Sequence, residues 1–308
     1  MKRLVKKTYR LKNFFRNDIW ELDLEELSKA RARFIKYLKV GAITIKTFSS
    51  EKIGFQAVAL SFFSTMSVVP FIAIAFVVTG GFGLTDKLKE LLYTYFDNSH
   101  EIIQTVLGFA DNIIASSQSS ALGLISSLFF ISVVIWMMLS VEKVFNNVWM
   151  VQKPRNILKR LSVIIGMLII APFVVMVFFA GSIVYSNSLD YLGLDLEAFG
   201  AVKTLLTWVV FGVLVTFTFS AMYKFIPNAD VDYANALRAA IFSGIGFTVL
   251  QYIYIETQVI MTRLNSIFGV FAAIPLFMTW INIGWFIILI GAELSYAFQH
   301  VDNYNIED

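Results

Sequence analysis

The chain has 308 residues, of which 57% are hydrophobic and only 15% charged, with 30 Phe and a formal net charge of +3. Soluble domains carry about 25% charged residues, so this composition points to a membrane protein rather than to one or two soluble domains. The absence of cysteine excludes disulfides, zinc–thiolate centres and cysteine nucleophiles. The only histidines, His100 and His300, are far apart in sequence, so no histidine-built metal site and no cofactor is expected.

Residues 1–50 hold 13 Lys and Arg against five acids. Asp23, Glu25 and Glu26 precede Lys29, Arg31, Arg33 and Lys36, the charge order a helix dipole favours. Leu27, Ala30, Phe34 and Leu38 recur at helical spacing and give that helix an apolar face. A signal peptide would place its apolar run directly behind the first charges, whereas here the first such run starts near Ile53. The segment therefore reads as a retained basic arm. It is either an interfacial helix on anionic lipid headgroups or a solvated tail that only sets topology. Nucleic acid is not expected as a partner, because basic arms beside a first span are ordinary topology signals.

A helix needs about 20 apolar residues to cross a hydrocarbon core of about 30 Å. Six runs qualify, at about residues 53–82, 121–140, 161–186, 201–222, 239–255 and 268–294. The first carries Gln56, Ser61, Ser64, Thr65, Ser67 and Pro70, and is expected to kink and to turn a polar stripe toward protein or water. Small-residue helix packing would enrich Ser and Thr equally well. Residues 85–119 are too polar to span and carry two amphipathic stripes, Leu88–Leu91–Leu92–Tyr95 and Ile103–Val106–Leu107–Ala110–Ile113–Ile114. They read as helices over the outer face, as a cap on the bundle or a cover for an opening. Val141 to Arg160 and Tyr223 to Arg238 read as basic loops, while residues 187–200 have three acids and no Lys or Arg. The positive-inside rule then puts both termini in the cytoplasm. The expected architecture is all-α: a six-helix integral membrane bundle (51–299) with amphipathic interfacial helices, a basic arm (1–50) and a polar cytoplasmic tail (300–308).

Several stretches are similar to a known family. Tyr223-Lys224-Phe225-Ile226-Pro227-Asn228, followed by Ala236-Leu237-Arg238-Ala239-Ala240, resembles a loop of the YihY/BrkB family of bacterial inner-membrane proteins, once labelled ribonuclease BN. Phe145-Asn146-Asn147-Val148-Trp149, the closing Gly291-Ala292-Glu293-Leu294 and Ala59 to Pro70 resemble three further motifs of that family, in the same order. Ala239 stands where members often have Gly, and Ala229-Asp230-Val231-Asp232 replaces a usually basic run, which weakens any phosphate-binding role for that loop. The resemblance implies a six-helix protein of the bacterial cytoplasmic membrane. Roles in serum resistance and envelope lipid export have been suggested for members, so it implies a place more firmly than a reaction.

Ionisable residues within a membrane default to functional candidates. Glu293 leads them, because Asn282, Phe286, Leu289 and Glu293 share one helical face. It reads as a protonatable group in a substrate path, or as a structural tie to Arg238, Lys224 or the Asn146 and Asn147 amides. Glu142 reads as a boundary marker after the second span, Trp149 as an interfacial anchor, and Pro227-Asn228 as a turn. With Gln56, Ser64, Ser67 and Pro70, these residues make up the candidate path or polar network. Metal-dependent nuclease chemistry needs clustered carboxylates or histidines, and the acids here are dispersed. The function expected is a transporter-like protein that binds or moves a lipid or amphiphile. The alternative is a non-transporting envelope scaffold, with envelope proteins or a second copy as partners.

Overall fold

The computed structural model describes residues 19–21, 27–50, 52–95, 121–153, 155–170, 200–263 and 270–304, with a few more between 104 and 115. Every regular element among them is helical. A single turn at Ile19–Glu21 precedes α1 (Lys29–Ser50), α2 (Ile53–Gly81), α3 (Thr85–Tyr95), α4 (Ala121–Val148), α5 (residues 157–170), α6 (Gly200–Phe225), α7 (Tyr233–Arg263) and α8 (Val270–His300). Five of these, α2, α4, α6, α7 and α8, are long and apolar enough to cross a membrane. The protein is thus an all-α integral membrane protein. The expected third span begins with α5, but residues 171–186 lie outside the described residues, as does most of the second outer stripe.

The helices outrun the apolar runs that predict them. Residues 141–148, read as loop, are the last two turns of α4, and α7 starts at Tyr233 rather than Ala239. Hydropathy marks where lipid begins, whereas a helix ends where its backbone is capped. At the end of α4, Met150 takes φ 50° and Val151 N–H donates to the Asn146 carbonyl at 2.9 Å, a left-handed stop. At the start of α7, the Asp232 carboxylate accepts from Ala234 N–H at 3.3 Å and from the Asn235 amide at 3.2 Å. α2 stays helical through Pro70 over 29 residues, about 43 Å at the usual rise.

α8 is the hub, touching α1, α2, α4, α6 and α7. α6 and α7 form a closely packed hairpin. A Cβ at Gly212 would meet Thr248 Oγ1 at 3.3 Å, and one at Gly244 would collide with Thr216 Oγ1, so each helix sets a glycine against the other's threonine. Both hydroxyls donate back to their own helix, to Gly212 and Gly244 carbonyls at 2.7 and 2.8 Å, and so leave no polar group bare in the interface. Large apolar side chains such as Phe55, Trp136, Leu158 and Ile245 point outward, as a lipid-facing surface requires. α3 lies on the end of α2, with Leu88 buried among Ala73, Ala75, Phe76 and Leu107.

The arm does not simply lie outside the bundle. Lys36 pairs with Asp302 at 2.6 Å, and eleven residues later Thr47 meets Glu293, so α1 runs antiparallel along α8. The buried face is Val40, Ile43, Thr44 and Thr47, whereas Phe34, on the apolar face read from the sequence, is 65% exposed.

Candidate functional site

The basic links gather at one end of the bundle, where the α4–α5 and α6–α7 connections interlock. The last carbonyls of a helix have no intrahelical partners and carry the negative end of its dipole. Arg155 meets that need at the end of α6. Its guanidinium donates to the carbonyls of Phe225, Ile226 and Pro227 at 3.0, 2.9 and 2.9 Å. The same group lies 3.9 Å from the Glu142 carboxylate, which accepts from Arg160 Nε at 2.8 Å. Glu142 is therefore no boundary marker: it is buried and held between two arginines. Asn146 Oδ1 accepts from Asn228 N–H at 2.7 Å, and the Asn228 amide donates to the Lys153 carbonyl at 3.1 Å. Pro227 and Asn228 do form a bend, and its backbone is held from both sides. Lys224 donates to the Val231 carbonyl, and Gln299 of α8 clamps the same link through Asp230 O and Asp232 N–H, each at 2.8 Å.

α8 uses its two faces differently. The face with Asn282, Phe286, Leu289 and Glu293 turns to α1 and α2. The Asn282 amide donates to Ser61 Oγ at 3.1 Å, and Phe286 lies against Phe48, with ring centroids 6.1 Å apart. Glu293 is fully buried and accepts from Thr47 Oγ1 at 2.6 Å. This contact ties α8 to α1, whereas Arg238, Lys224, Asn146 and Asn147 make their described hydrogen bonds elsewhere. Arg238 donates to Asn235 Oδ1 at 3.1 Å, and Asn147 to Gln56 Oε1 at 3.4 Å. The opposite face presents Gly291 to Tyr223, whose hydroxyl lies 2.8 Å from Ser243 Oγ and 3.0 Å from the Ile288 carbonyl. Trp149, expected as an interfacial anchor, is buried against Tyr296 and His300, with centroids at 5.6 and 5.8 Å. The extra turns of α4 carry it inside.

Further along, α2, α4, α7 and α8 enclose a groove of about 440 Å³. Its wall is chiefly apolar, with Phe71, Met137 and Phe247 among its side chains, and Ser64, Ser67, Trp280 and Trp285 supply the polar groups. Ser64 accepts from Trp285 Nε1 at 2.8 Å, and Ser67 donates to its own helix at Phe63 O. The Trp280 N–H is buried with no acceptor among the described residues. Pro70 is buried on α2, one residue before Phe71 of the groove wall. No three His, Asp or Glu converge as a metal set among the described residues.

The sequence profile of the family described as Virulence factor BrkB matches residues 44–308. The chain belongs to the BrkB family. Its relatives include a UPF0761 membrane protein of Haemophilus influenzae, 25% identical over 270 residues that cover 85% of this chain and 95% of the relative. Others are UPF0761 membrane proteins of Methylibium petroleiphilum (25% over 260 residues, 82% and 61% of the two chains) and Aromatoleum aromaticum (28% over 244 residues, 77% and 58%). The chain thus spans about three-fifths of the length of the latter two. No solved structure matches.

The stretches that resemble BrkB motifs are separate in sequence and meet in space. Phe145 lies against Tyr223 with ring centroids 6.3 Å apart, Asn146 binds Asn228, and Gly291 makes room for the Tyr223 hydroxyl. The fourth stretch, Ala59 to Pro70, supplies Ser64 and Ser67 to the groove. Three motifs of this BrkB protein therefore fasten one end of the bundle, and one lines the space beside it. Arg155, Thr47, Gln299 and Trp285 escaped the sequence reading because their hydrogen-bond partners are 67 to 246 positions away. The available signal was an acid, Glu142, shortly before a basic run.

Thr47→Val keeps the shape of the side chain and removes its hydroxyl from Glu293. A buried hydrogen bond contributes about 0.5–1.5 kcal/mol net, so the purified variant should melt a few degrees lower. An unchanged melting temperature by tryptophan fluorescence would show that the contact contributes nothing.

Proposed function

We propose that this BrkB-family protein binds a lipid or amphiphile in the bacterial cytoplasmic membrane and assists its movement between leaflets, with both termini cytoplasmic. The observation that carries this reading is the groove between α2, α4, α7 and α8. It is large enough for part of an acyl chain, is mostly apolar, and sets a few hydroxyl and indole groups where a polar moiety would need partners. The Trp280 N–H adds a donor with no protein acceptor among the described residues. The sequence has no Walker-type phosphate loop, so movement would follow a gradient, a partner or simple equilibration. The dispersed acids argue against metal-dependent nuclease chemistry.

The test is mass spectrometry of lipids retained by the purified protein, compared with bulk membrane and with Val68→Trp, which fills the groove from α2. Selective enrichment of one lipid class in the wild type, lost in the variant at normal protein yield, is the expected result. A bulk-like profile in both would overturn the lipid-carrier reading and leave an envelope scaffold.

A further inference from the structure

A second cavity, of about 410 Å³, lies at the basic end, away from the groove. It is lined by Arg33, Lys36 and Tyr37 of α1, Arg238 of α7 and Phe298 of α8. Arg33, Lys36 and Tyr37 are three and four positions apart, so they share one face of α1. Lys36 is committed to Asp302 at 2.6 Å, and Arg238 donates one N–H to Asn235. Arg33 is exposed and has no hydrogen bond or ion pair among the described residues. Three cations face one space with a single paired carboxylate, which leaves the cavity positive by two charges.

Its floor is aromatic. Tyr37, Phe242 and Phe298 meet with ring centroids 5.8 to 6.5 Å apart. From there an apolar track leads away along α7, since Arg238, Phe242, Ile245 and Val249 follow one another at helical spacing and the last three are exposed. Phe34 and Ile45 of α1 are exposed as well. A free anion in water would need the cations alone. A cation cluster that opens onto aromatic rings and then onto an apolar helix face matches a ligand with an anionic head and hydrocarbon chains.

We infer that the Arg33–Lys36–Arg238 cavity is a binding site for the phosphate headgroup of an anionic phospholipid, whose acyl chains run along the Phe242–Ile245–Val249 face of α7. The site has its own residues and stands whether or not the groove carries lipid. Arg33 and Arg238 supply the free donors, in the planar geometry that suits phosphate oxygens. Lys36 holds α1 in place through Asp302 and adds charge. The site also gives the basic arm a defined task, because α1 brings two of its three cations.

The experiment is native mass spectrometry of the full-length protein in detergent, titrated with dioctanoyl phosphatidylglycerol or dioctanoyl phosphatidylcholine. Phosphatidylglycerol should bind in preference. Arg33→Gln and Arg238→Gln should each weaken it about fivefold, and together about thirtyfold, while phosphatidylcholine binding stays unchanged. Lys143→Gln, an exposed cation outside the cavity, should behave as wild type. Equal binding of the two lipids, or variants indistinguishable from wild type, would overturn the proposal. So would inorganic phosphate competing as strongly as the lipid, which would make the site one for free anions. If Arg238→Gln does not accumulate, Arg33→Gln alone decides the matter, since its side chain has no hydrogen bond or ion pair among the described residues.

Discussion

Arg155→Ala is expected to lower stability more than any other single replacement in the basic loops, by about 3 kcal/mol, at about 1 kcal/mol for each of three lost hydrogen bonds. The reason lies in what one guanidinium does. It satisfies three carbonyls at the end of α6, where the backbone has no partners of its own, and it neutralises Glu142 from within 3.9 Å. Alanine would leave those carbonyls without that donor at a part-buried helix end, and Glu142 with Arg160 alone. Arg160 is a third exposed, so water screens its share of the pair. Arg155→Lys should recover only part of the loss, because a point-like ammonium cannot serve three carbonyls and a carboxylate together. Melting in detergent, followed by tryptophan fluorescence, reads both variants. A melting temperature for Arg155→Ala within a degree of wild type would show that the two links hold each other without the clamp. Glu142→Gln adds a control. It keeps the shape and removes the charge, and should cost less than Arg155→Ala because the carbonyl contacts survive.

The second large effect is expected at Gly291. Here α8 passes so close to α6 and α7 that a Cβ would collide with the Tyr223 hydroxyl and lie 2.6 Å from Ser243 Oγ. Tyr223 is fully buried, with Phe145 and Phe219 ring centroids 6.3 and 6.2 Å away, so its ring has nowhere to swing. Overpacking a tight core costs about 1–3 kcal/mol, and displacing the hydroxyl from Ile288 O and Ser243 leaves buried polar groups unsatisfied at about 1–3 kcal/mol more. Gly291→Ala should therefore melt well below wild type. Tyr223→Phe removes the oxygen of the nearest contact but leaves Ser243 Oγ and Cβ at 2.6 and 2.7 Å, so the double variant should lose less than the sum of the two single changes. That shortfall is a coupling between residues in contact. If the two changes were simply additive, the close approach of α8 to Tyr223 would not be the cause of the glycine requirement.

Much of the architecture was legible because it is written locally. The apolar runs behind α2, α4, α6, α7 and α8, a break within 223–238 and the amphipathic α3 all follow from composition over 10 to 30 consecutive residues. Helix ends were less legible. The runs stop where lipid stops, while α4 continues through Val148 and α7 starts at Tyr233 because caps, not hydropathy, end a helix. The polar network was legible as a set of residues and illegible as a set of contacts. Asn146, Asn228, Lys224 and Glu142 were singled out, and all of them lie at the basic end, yet the group that ties Glu142 to the end of α6, Arg155, was read only as a topology signal.

The sequence by itself determined the membrane as solvent, the all-α class, and the small residues that suit the first span to close helix packing. These depend on how each stretch meets lipid or fits beside another helix, and that is a property of the stretch. Only the tertiary structure decided that Glu293 faces Thr47 of α1, that Trp149 is buried, and that Arg33 and Arg238 share a cavity. Helical periodicity says which residues share a face. Which face meets which depends on the rotation of each helix about its axis and on the path of the links between them. Those are fixed by the sum of all contacts and by no single segment.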